Sequence, residues 1–439
     1  MMRQAPVDRV RWGVNYTPAS GWFHSWQDFD IDAVRADLDS IASLGLDHIR
    51  IFPIWPLIQP SRTHIRKAGI RDVGRVVDAA AEVGLDVAVD GLQGHLSSFD
   101  FLPNWVTTWH RRNIFTDPDV VRAEAELVDA LCRVVSQRSN TIGMTVGNET
   151  DQFALDRHPE PHCLTPAQME EWLGRMLDTA RSAWPQGMHQ HSADDDVWFD
   201  DTSPTTPRHA TRLGDVTTVH SWVFTRVAAL YPEGHPAHAH FADYLVQLAT
   251  AWADDPRRPV WLQEIGAPYP AVSARAAPDF LADSIMNTLD NDHLWGVTWW
   301  CSHDVERSLA DFPELEYTLG LLGSDRSIKP IGRRFADLIA QERRAPTAHV
   351  VRGTAVVFDP DEGQFATDRS LTGPGSAVFH TWLDLAMTET RPALVRRSVA
   401  DDSASLKARG IDHVVAPRAV RASIEAYAYS AAAPPGPKT

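Results

Sequence analysis

Eight short apolar runs, most of them followed by an amphipathic helical pattern, fill the greater part of this 439-residue chain. That alternation predicts an α/β fold, specifically a (β/α)8 TIM barrel. A second observation is an asymmetry of the connections. Those after the runs are long and polar, those before them short, as expected when one end of a barrel carries a site. Third, the first run leads into Asn15-Tyr16-Thr17-Pro18 without a glycine-rich phosphate turn, which speaks against a doubly wound sheet.

The elements follow in order. Trp12–Tyr16 is the first predicted strand. Ile31–Leu44 is a helix because Val34, Leu38, Ile41 and Leu44 share one face; Asp30 or Asp32 caps its start and Gly45 ends it. The remaining strands are His48–Phe52, Val87–Asp90, Thr141–Val146, Met188–His191, Thr217–Ser221, Pro259–Gln263 and Gly296–Trp300. Helices over Ile70–Val83, Pro118–Val135, Pro166–Ala183, His235–Ala253 and Ala277–Leu289 fall between them, with a shorter one inside Thr202–Leu213. Gln341–Val350 is a charged, proline-punctuated hinge. Beyond it, strands Val350–Phe358, Ala393–Val395 and His413–Val415 and a helix Ala377–Met387 make a small C-terminal α/β appendage. The expected division is a barrel over 1–345, the appendage over 346–430 and a disordered tail over 431–439.

Composition removes several function classes. The 41 Lys and Arg against 58 Asp and Glu give a net charge of −17, which argues against nucleic acid or an anionic membrane as partner. Cys132, Cys163 and Cys301 are too few for a disulfide framework and lack CxxC spacing. The N-terminal stretch has no apolar signal region and no run suits a membrane span, so a soluble cytoplasmic protein is the expectation. The 16 tryptophans against 7 tyrosines suit sugar rings and protein cores equally well.

Chemistry enters with two glutamates. Glu149 follows Thr145-Val146-Gly147-Asn148 at the end of the fourth run, and Glu264 follows Val260-Trp261-Leu262-Gln263 at the end of the seventh. Strand C-termini of a barrel converge on one face, so the two carboxylates are placed to oppose each other across a pocket. Cleavage of a glycosidic bond needs such a pair, one acid to protonate the leaving oxygen and one carboxylate to trap the anomeric centre. The plainer alternative is that each merely caps a helix or pairs with an arginine.

Gly147-Asn148-Glu149 and Gln263-Glu264, at those strand positions, resemble the clan of barrels that includes the family 5 glycoside hydrolases. The resemblance spans residues 12 to about 340. It implies that Glu149 is the acid/base, Glu264 the nucleophile of a retaining double displacement, and Asn148 the ligand of the sugar 2-hydroxyl. It further implies that Arg50 holds the nucleophile ionised, that His220 lies near both carboxylates and that Trp300 forms the floor under the −1 sugar. Independently, an adjacent guanidinium favours a charged carboxylate, and burial beside that charge is expected to raise the acid/base. Two departures stand out. Asp90-Gly91-Leu92 replaces the usual Asp-x-His, leaving His95 as the nearest histidine, and Trp222 stands where the family often has a tyrosine.

The long, Trp-, His- and Asp-rich stretches 91–113 and 192–205 are suited to wall off one side of the mouth, which favours exo action on a short oligosaccharide or disaccharide. Trp105, Trp198, Trp222 and Trp300 are the candidate sugar contacts. Four strings carry a closer likeness: Arg11–Pro18, Ser98–Trp105, His220–Phe224 and Trp299–Asp304. Together they resemble the bacterial family 5 subfamily of β-mannosidases acting on mannosyl-β-1,4-N-acetylglucosamine. Other readings are an endo-β-mannanase or β-glucosidase of the same clan, a non-catalytic sugar-binding barrel, and a metal-dependent barrel hydrolase built on His189 and His191 or on His235, His238 and His240. Metal-barrel hydrolases usually carry their HxH on the first strand, and a non-catalytic barrel would not need both glutamates, so neither metal nor other cofactor is expected. The appendage is open to covering the barrel or to a homo-oligomer contact.

Overall fold

The computed structural model describes residues 9–418 except 98, 108, 364, 365 and 389. The tail expected over 431–439 and the last part of the predicted appendage lie outside the described residues. Strands β1 (Arg11–Asn15), β2 (His48–Ile51), β3 (Asp86–Asp90) and β4 (Thr141–Thr145) pair in parallel in that order. On the other side of β1 come β8 (Leu294–Trp299), β7 (Val260–Ile265) and β6 (Thr217–Ser221), also parallel. The fifth position, expected as a full strand, is an extended segment at 188–191 (β5) that registers only as a parallel bridge between Thr145 and Gln190. It still closes the barrel. Gln190 exchanges backbone hydrogen bonds with Met144 and Val146, while Asp215 N–H donates to His189 O at 2.8 Å on the β6 side. Gly143 permits this approach, because a Cβ there would lie 1.6 Å from the Met188 carbonyl oxygen.

Helices fill the outside: α1 (Ile31–Ala42), α2 (Lys67–Glu82), α3 (Pro118–Val135), α4 (Pro166–Ala183), α5 (Pro207–Arg212), α6 (Pro236–Trp252), α7 (Ala277–Met286) and α8 (Pro330–Arg344). Asp30 is the cap of α1, accepting from the Asp32 and Ala33 N–H groups, and Gly45 follows with a positive φ of 76°. The eighth helix lies outside the predicted set, and it corrects the hinge: Gln341–Arg344 is the last turn of α8, after which the chain leaves the barrel. Among the described residues no helix is long and apolar enough to cross a membrane.

After α8, strands β9 (Thr354–Phe358), β10 (Ala393–Arg396) and β11 (His413–Val415) form a parallel sheet in the order β10-β9-β11, with α9 (Ala377–Ala386) packed beside it. Val356, Phe358, Phe379 and Trp382 join the same apolar core as the barrel. Arg352 is buried between Asp243 of α6 and Asp290, at 2.8 and 2.7 Å. Arg369 donates to the carbonyls of Val197, Ser203 and Thr205, so this segment braces the loop that follows β5.

One buried acid stands apart from the mouth. Glu124 of α3 is 1% exposed and accepts the Trp172 Nε1 hydrogen at 2.8 Å. Burial pushes its carboxyl from the ordinary 4.5 up to about 8, against the opposing hydrogen bond. The folded chain therefore keeps a proton there that the unfolded chain releases. Stability from this group is complete below about pH 4.5 and is lost as pH rises to about 8. Glu124→Gln is expected to flatten the decline in urea-unfolding free energy between pH 5 and 8 by up to about 1.4 kcal/mol per pH unit; a slope identical to the parent's contradicts this.

Candidate active site

The C-terminal end of the barrel is organised by one side chain. Arg50 on β2 is fully buried. Its NH1 donates to Glu264 Oε1 at 2.8 Å and to Asn15 Oδ1 at 3.1 Å, its NH2 donates to Asn148 Oδ1 at 2.6 Å, and its Nε pairs with Asp90. Asn15 in turn donates its amide to the carbonyls of Gln263 and Trp299 at 3.1 and 3.2 Å, which ties the ends of β7 and β8 to β1.

The turn after β4 explains its sequence. Gly147 has φ 107°, and a Cβ there would meet Thr150 Cγ2 at 2.4 Å, so glycine is required. Glu149 follows with φ 43° in the left-handed region, a conformation rare for residues with a Cβ and frequent at working sites. Asn148, held at its carbonyl oxygen by Arg50, keeps its amide hydrogens as the group it can offer a hydroxyl.

Glu264 also accepts from Trp222 Nε1 at 3.2 Å. The residue that departs from the expected tyrosine thus reaches the carboxylate with its indole N–H. His220 on β6 joins the two carboxylates: its Nδ1 lies 2.6 Å from Glu149 Oε1 and 3.4 Å from Glu264 Oε2. One oxygen of each glutamate and a ring nitrogen of His220 all fall within 4.8 Å of one another.

These contacts set the charges. His220 is raised above the ordinary imidazole value: burial opposes the charged ring, but the Glu264 and Glu149 carboxylates outweigh it. Glu149 is held below the ordinary range, since the His220 hydrogen bond and charge overcome the upward push of burial. Glu264 is raised by burial against the pull of His220 and Arg50. The expected raising of Glu149 is thus reversed, because His220 lies 2.6 Å from its carboxylate.

The other predicted residues divide. Trp300 lies just past β8, its ring 5.5 Å from Phe52 and 6.4 Å from Trp222, while neighbouring Trp299 turns outward and donates to the Leu319 carbonyl. His95 sits in a short hairpin, bonded to Asp100 at 3.2 Å, where its charge acts on Glu149. Trp105 and Trp198 make no hydrogen bond to Glu149 or Glu264 among the described residues. Trp105 donates to the Gln59 carbonyl at 3.0 Å, and Trp198 is 1% exposed in the turn Asp196–Phe199 under the C-terminal segment; both indoles fill space between elements. Three of the five histidines of the metal reading bond protein carbonyls, His189 to Trp184, His191 to His209 and His238 to Tyr231, and His235 accepts from the Ala237 N–H at the start of α6.

Residues not singled out as site residues complete the floor: Asn15, Asp90, Thr145, Gln190 and Gln263, all fully buried. Their signal was a polar residue at the inward position of an otherwise apolar strand end. Glu316, bonded by Ser97 Oγ at 2.9 Å, faces both glutamates, and burial pushes it up to about 7.

A closed parallel barrel with two opposed glutamates at its C-terminal mouth, one held by an arginine, has the architecture of a glycoside hydrolase. A scan against family models finds no match, and neither does a search of curated proteins. Solved structures do match. GH5_18 from Streptomyces cattleya, a Glu-to-Ala variant in complex with Manβ1-4GlcNAc, is 53% identical over 93% of this chain and 99% of its own, at TM-score 0.92. GH5_18 from Bifidobacterium longum subsp. longum, likewise a Glu-to-Ala variant with Manβ1-4GlcNAc, is 44% identical over 93% of this chain and 96% of its own, at TM-score 0.90. The exo-β-1,4-mannosidase Op5Man5 from an Opitutaceae bacterium, 24% identical at TM-score 0.72 over 88% of this chain and 69% of its own, shares the fold. The chain belongs to subfamily 18 of glycoside hydrolase family 5.

Trp222→Phe keeps an aromatic ring and removes one hydrogen-bond donor from Glu264. A lost hydrogen bond to a charged group costs about 1.5–3 kcal/mol, so kcat/KM should fall roughly 10- to 100-fold. Its acidic limb should move to higher pH, because Glu264 then holds a proton more readily; an unmoved limb counts against the contact.

Proposed function

We propose that this enzyme is an exo-acting, retaining β-mannosidase that cleaves mannosyl-β-1,4-N-acetylglucosamine. The observation that carries the retaining part is the carboxylate spacing. One oxygen of Glu149 and one of Glu264 lie within 4.8 Å of each other, which supports the roughly 5–5.5 Å carboxyl separation of double displacement over the roughly 6.5–9.5 Å of inversion.

Glu264, oriented by Arg50 and Trp222, attacks the anomeric carbon while Glu149 protonates the leaving oxygen. Glu149 then takes a proton from water, and the hydroxide equivalent releases the sugar with its configuration kept. Asn148 donates to the 2-hydroxyl, an interaction that strengthens as the oxocarbenium-like charge develops. Trp300 and Trp222 supply apolar faces for the sugar ring, and no metal or organic cofactor takes part. The disaccharide bound by the Streptomyces and Bifidobacterium relatives supports the substrate assignment. Exo action is supported by the braced loops on either side of the mouth: the His95–Asp100 hairpin, pinned by Glu316 through Ser97, and the 192–205 stretch, pinned by Arg369.

Hydrolysis of p-nitrophenyl β-mannoside, β-glucoside and β-galactoside beside mannosyl-β-1,4-N-acetylglucosamine tests the assignment. The disaccharide should be turned over with the highest kcat/KM and survive chelator treatment. A preference for the glucoside, or for internal bonds of a mannan, overturns it. Glu149→Ala should lose activity on the disaccharide while azide restores turnover of the aryl β-mannoside and yields β-mannosyl azide.

A further inference from the structure

The residue before Glu264 has no part in the mechanism above, yet it is locked in place with unusual care. Gln263 on β7 is fully buried. Its Oε1 lies 3.2 Å from His220 Nε2, and its Nε2 donates to Thr145 Oγ1 at 3.2 Å. Thr145 Oγ1 also accepts from Gln190 Nε2 at 2.9 Å. Adjacent strands β4, β5, β6 and β7 thus contribute one residue each to a chain that ends, through His220 Nδ1, on Glu149 Oε1.

A carboxamide presents an acceptor or a donor to the same point by turning over, and a hydroxyl accepts or donates without moving its oxygen. The chain therefore fits two proton arrangements on one set of heavy atoms. With Gln263 Oε1 toward the ring, His220 donates from both nitrogens, is an imidazolium, and faces an ionised Glu149. With the amide turned over, Gln263 Nε2 donates to a bare His220 Nε2 and Thr145 Oγ1 donates to Gln263 Oε1. The neutral ring then keeps its Nδ1 hydrogen on Glu149 Oε1, and the proton resides on the other Glu149 oxygen, where a leaving group takes it. Both arrangements hold the same number of protons: the first becomes the second when the ring loses its Nε2 hydrogen and Glu149 gains one.

We propose that Gln263, backed by Thr145 and Gln190, is a positioning residue whose amide orientation decides whether one proton rests on His220 or on Glu149. It rests on the reading of Glu149 as acid/base. In the resting enzyme the proton is stored on His220; when Glu149 has given it to the leaving group, the water consumed in the second step restores it. The charged groups around the ring are Glu149 beyond β4, Glu264 on β7, Arg50 on β2 and Asp90 on β3. The two nearest are the glutamates, which favours storage on the ring.

The test is kcat/KM against pH on mannosyl-β-1,4-N-acetylglucosamine for the parent, Gln263→Glu and Gln263→Met. A glutamate offers only acceptors and keeps the ring charged: the basic limb should move up by about one pH unit or more while kcat falls about tenfold or more. Methionine offers neither group and removes a hydrogen bond to a charged ring, so the limb should move down by about one to two pH units. A merely structural role lowers activity or stability without opposite shifts, and basic limbs that stay at the parent's value in both variants overturn the proposal. Histidine-selective 15N NMR of the parent needs no variant: at neutral pH the His220 ring should carry hydrogen on both nitrogens, and a neutral ring overturns the proposal. Failure of the underlying reading looks different, because Glu149→Ala would then keep hydrolysing the disaccharide; an inactive Glu149→Ala with unmoved Gln263 limbs sinks this inference alone.

Discussion

A single buried guanidinium fixes the geometry on which the mouth of this barrel depends. An ion the size of Arg50 loses several kcal/mol of hydration when taken out of water unless its hydrogens are matched, and here Glu264, Asp90, Asn15 and Asn148 match them. Those partners come from four different strands or their loops. Keeping the charge satisfied therefore forces Glu264, Asn148 and the ends of β1, β3 and β7 into one arrangement. Lysine has neither the planar fork nor the number of donors to do this.

The same centre explains why the acid and the nucleophile differ. Arg50 and the Trp222 indole both point at Glu264, whereas Glu149 meets only His220 within the hydrogen-bonding network described. An imidazole whose charged form is favoured by two carboxylates offsets their mutual repulsion. Around this pair the loops are tied down: Asp194 and Asp196 are pinned by Arg157, Asp196 also by Arg226, and Arg369, in the turn Arg369–Thr372 of the C-terminal segment, holds the 197–205 stretch. The burial of Trp198 follows from that bracing.

Much of this was legible in the chain. Strand and helix positions followed from apolar periodicity, and the two glutamates from their place just beyond strand ends, because both signals are local. What escaped was non-local. β5 pairs with β4 only through a bridge at Thr145 and Gln190, made possible by the close approach at Gly143, and no periodicity reports such a contact. Trp105 and Trp198 lie in polar loops, where sequence cannot tell an indole facing solvent from one packed under another element. The order of the pKa shifts at Glu149 and Glu264 depends on which of them His220 touches more closely, a difference between 2.6 and 3.4 Å. Asn15, Thr145, Gln190 and Gln263 each look ordinary alone; they gain meaning once the barrel brings them to one layer.

The central claim is that Arg50 presents Glu264 as the nucleophile of a covalent double displacement. Incubating the enzyme with a 2-deoxy-2-fluoro-β-mannosyl fluoride, followed by peptide mass spectrometry, tests it most directly. The account predicts inactivation with one fluoromannosyl group on Glu264. Label on Glu149, or turnover without any covalent adduct and with first-formed α-mannose by NMR, would contradict it.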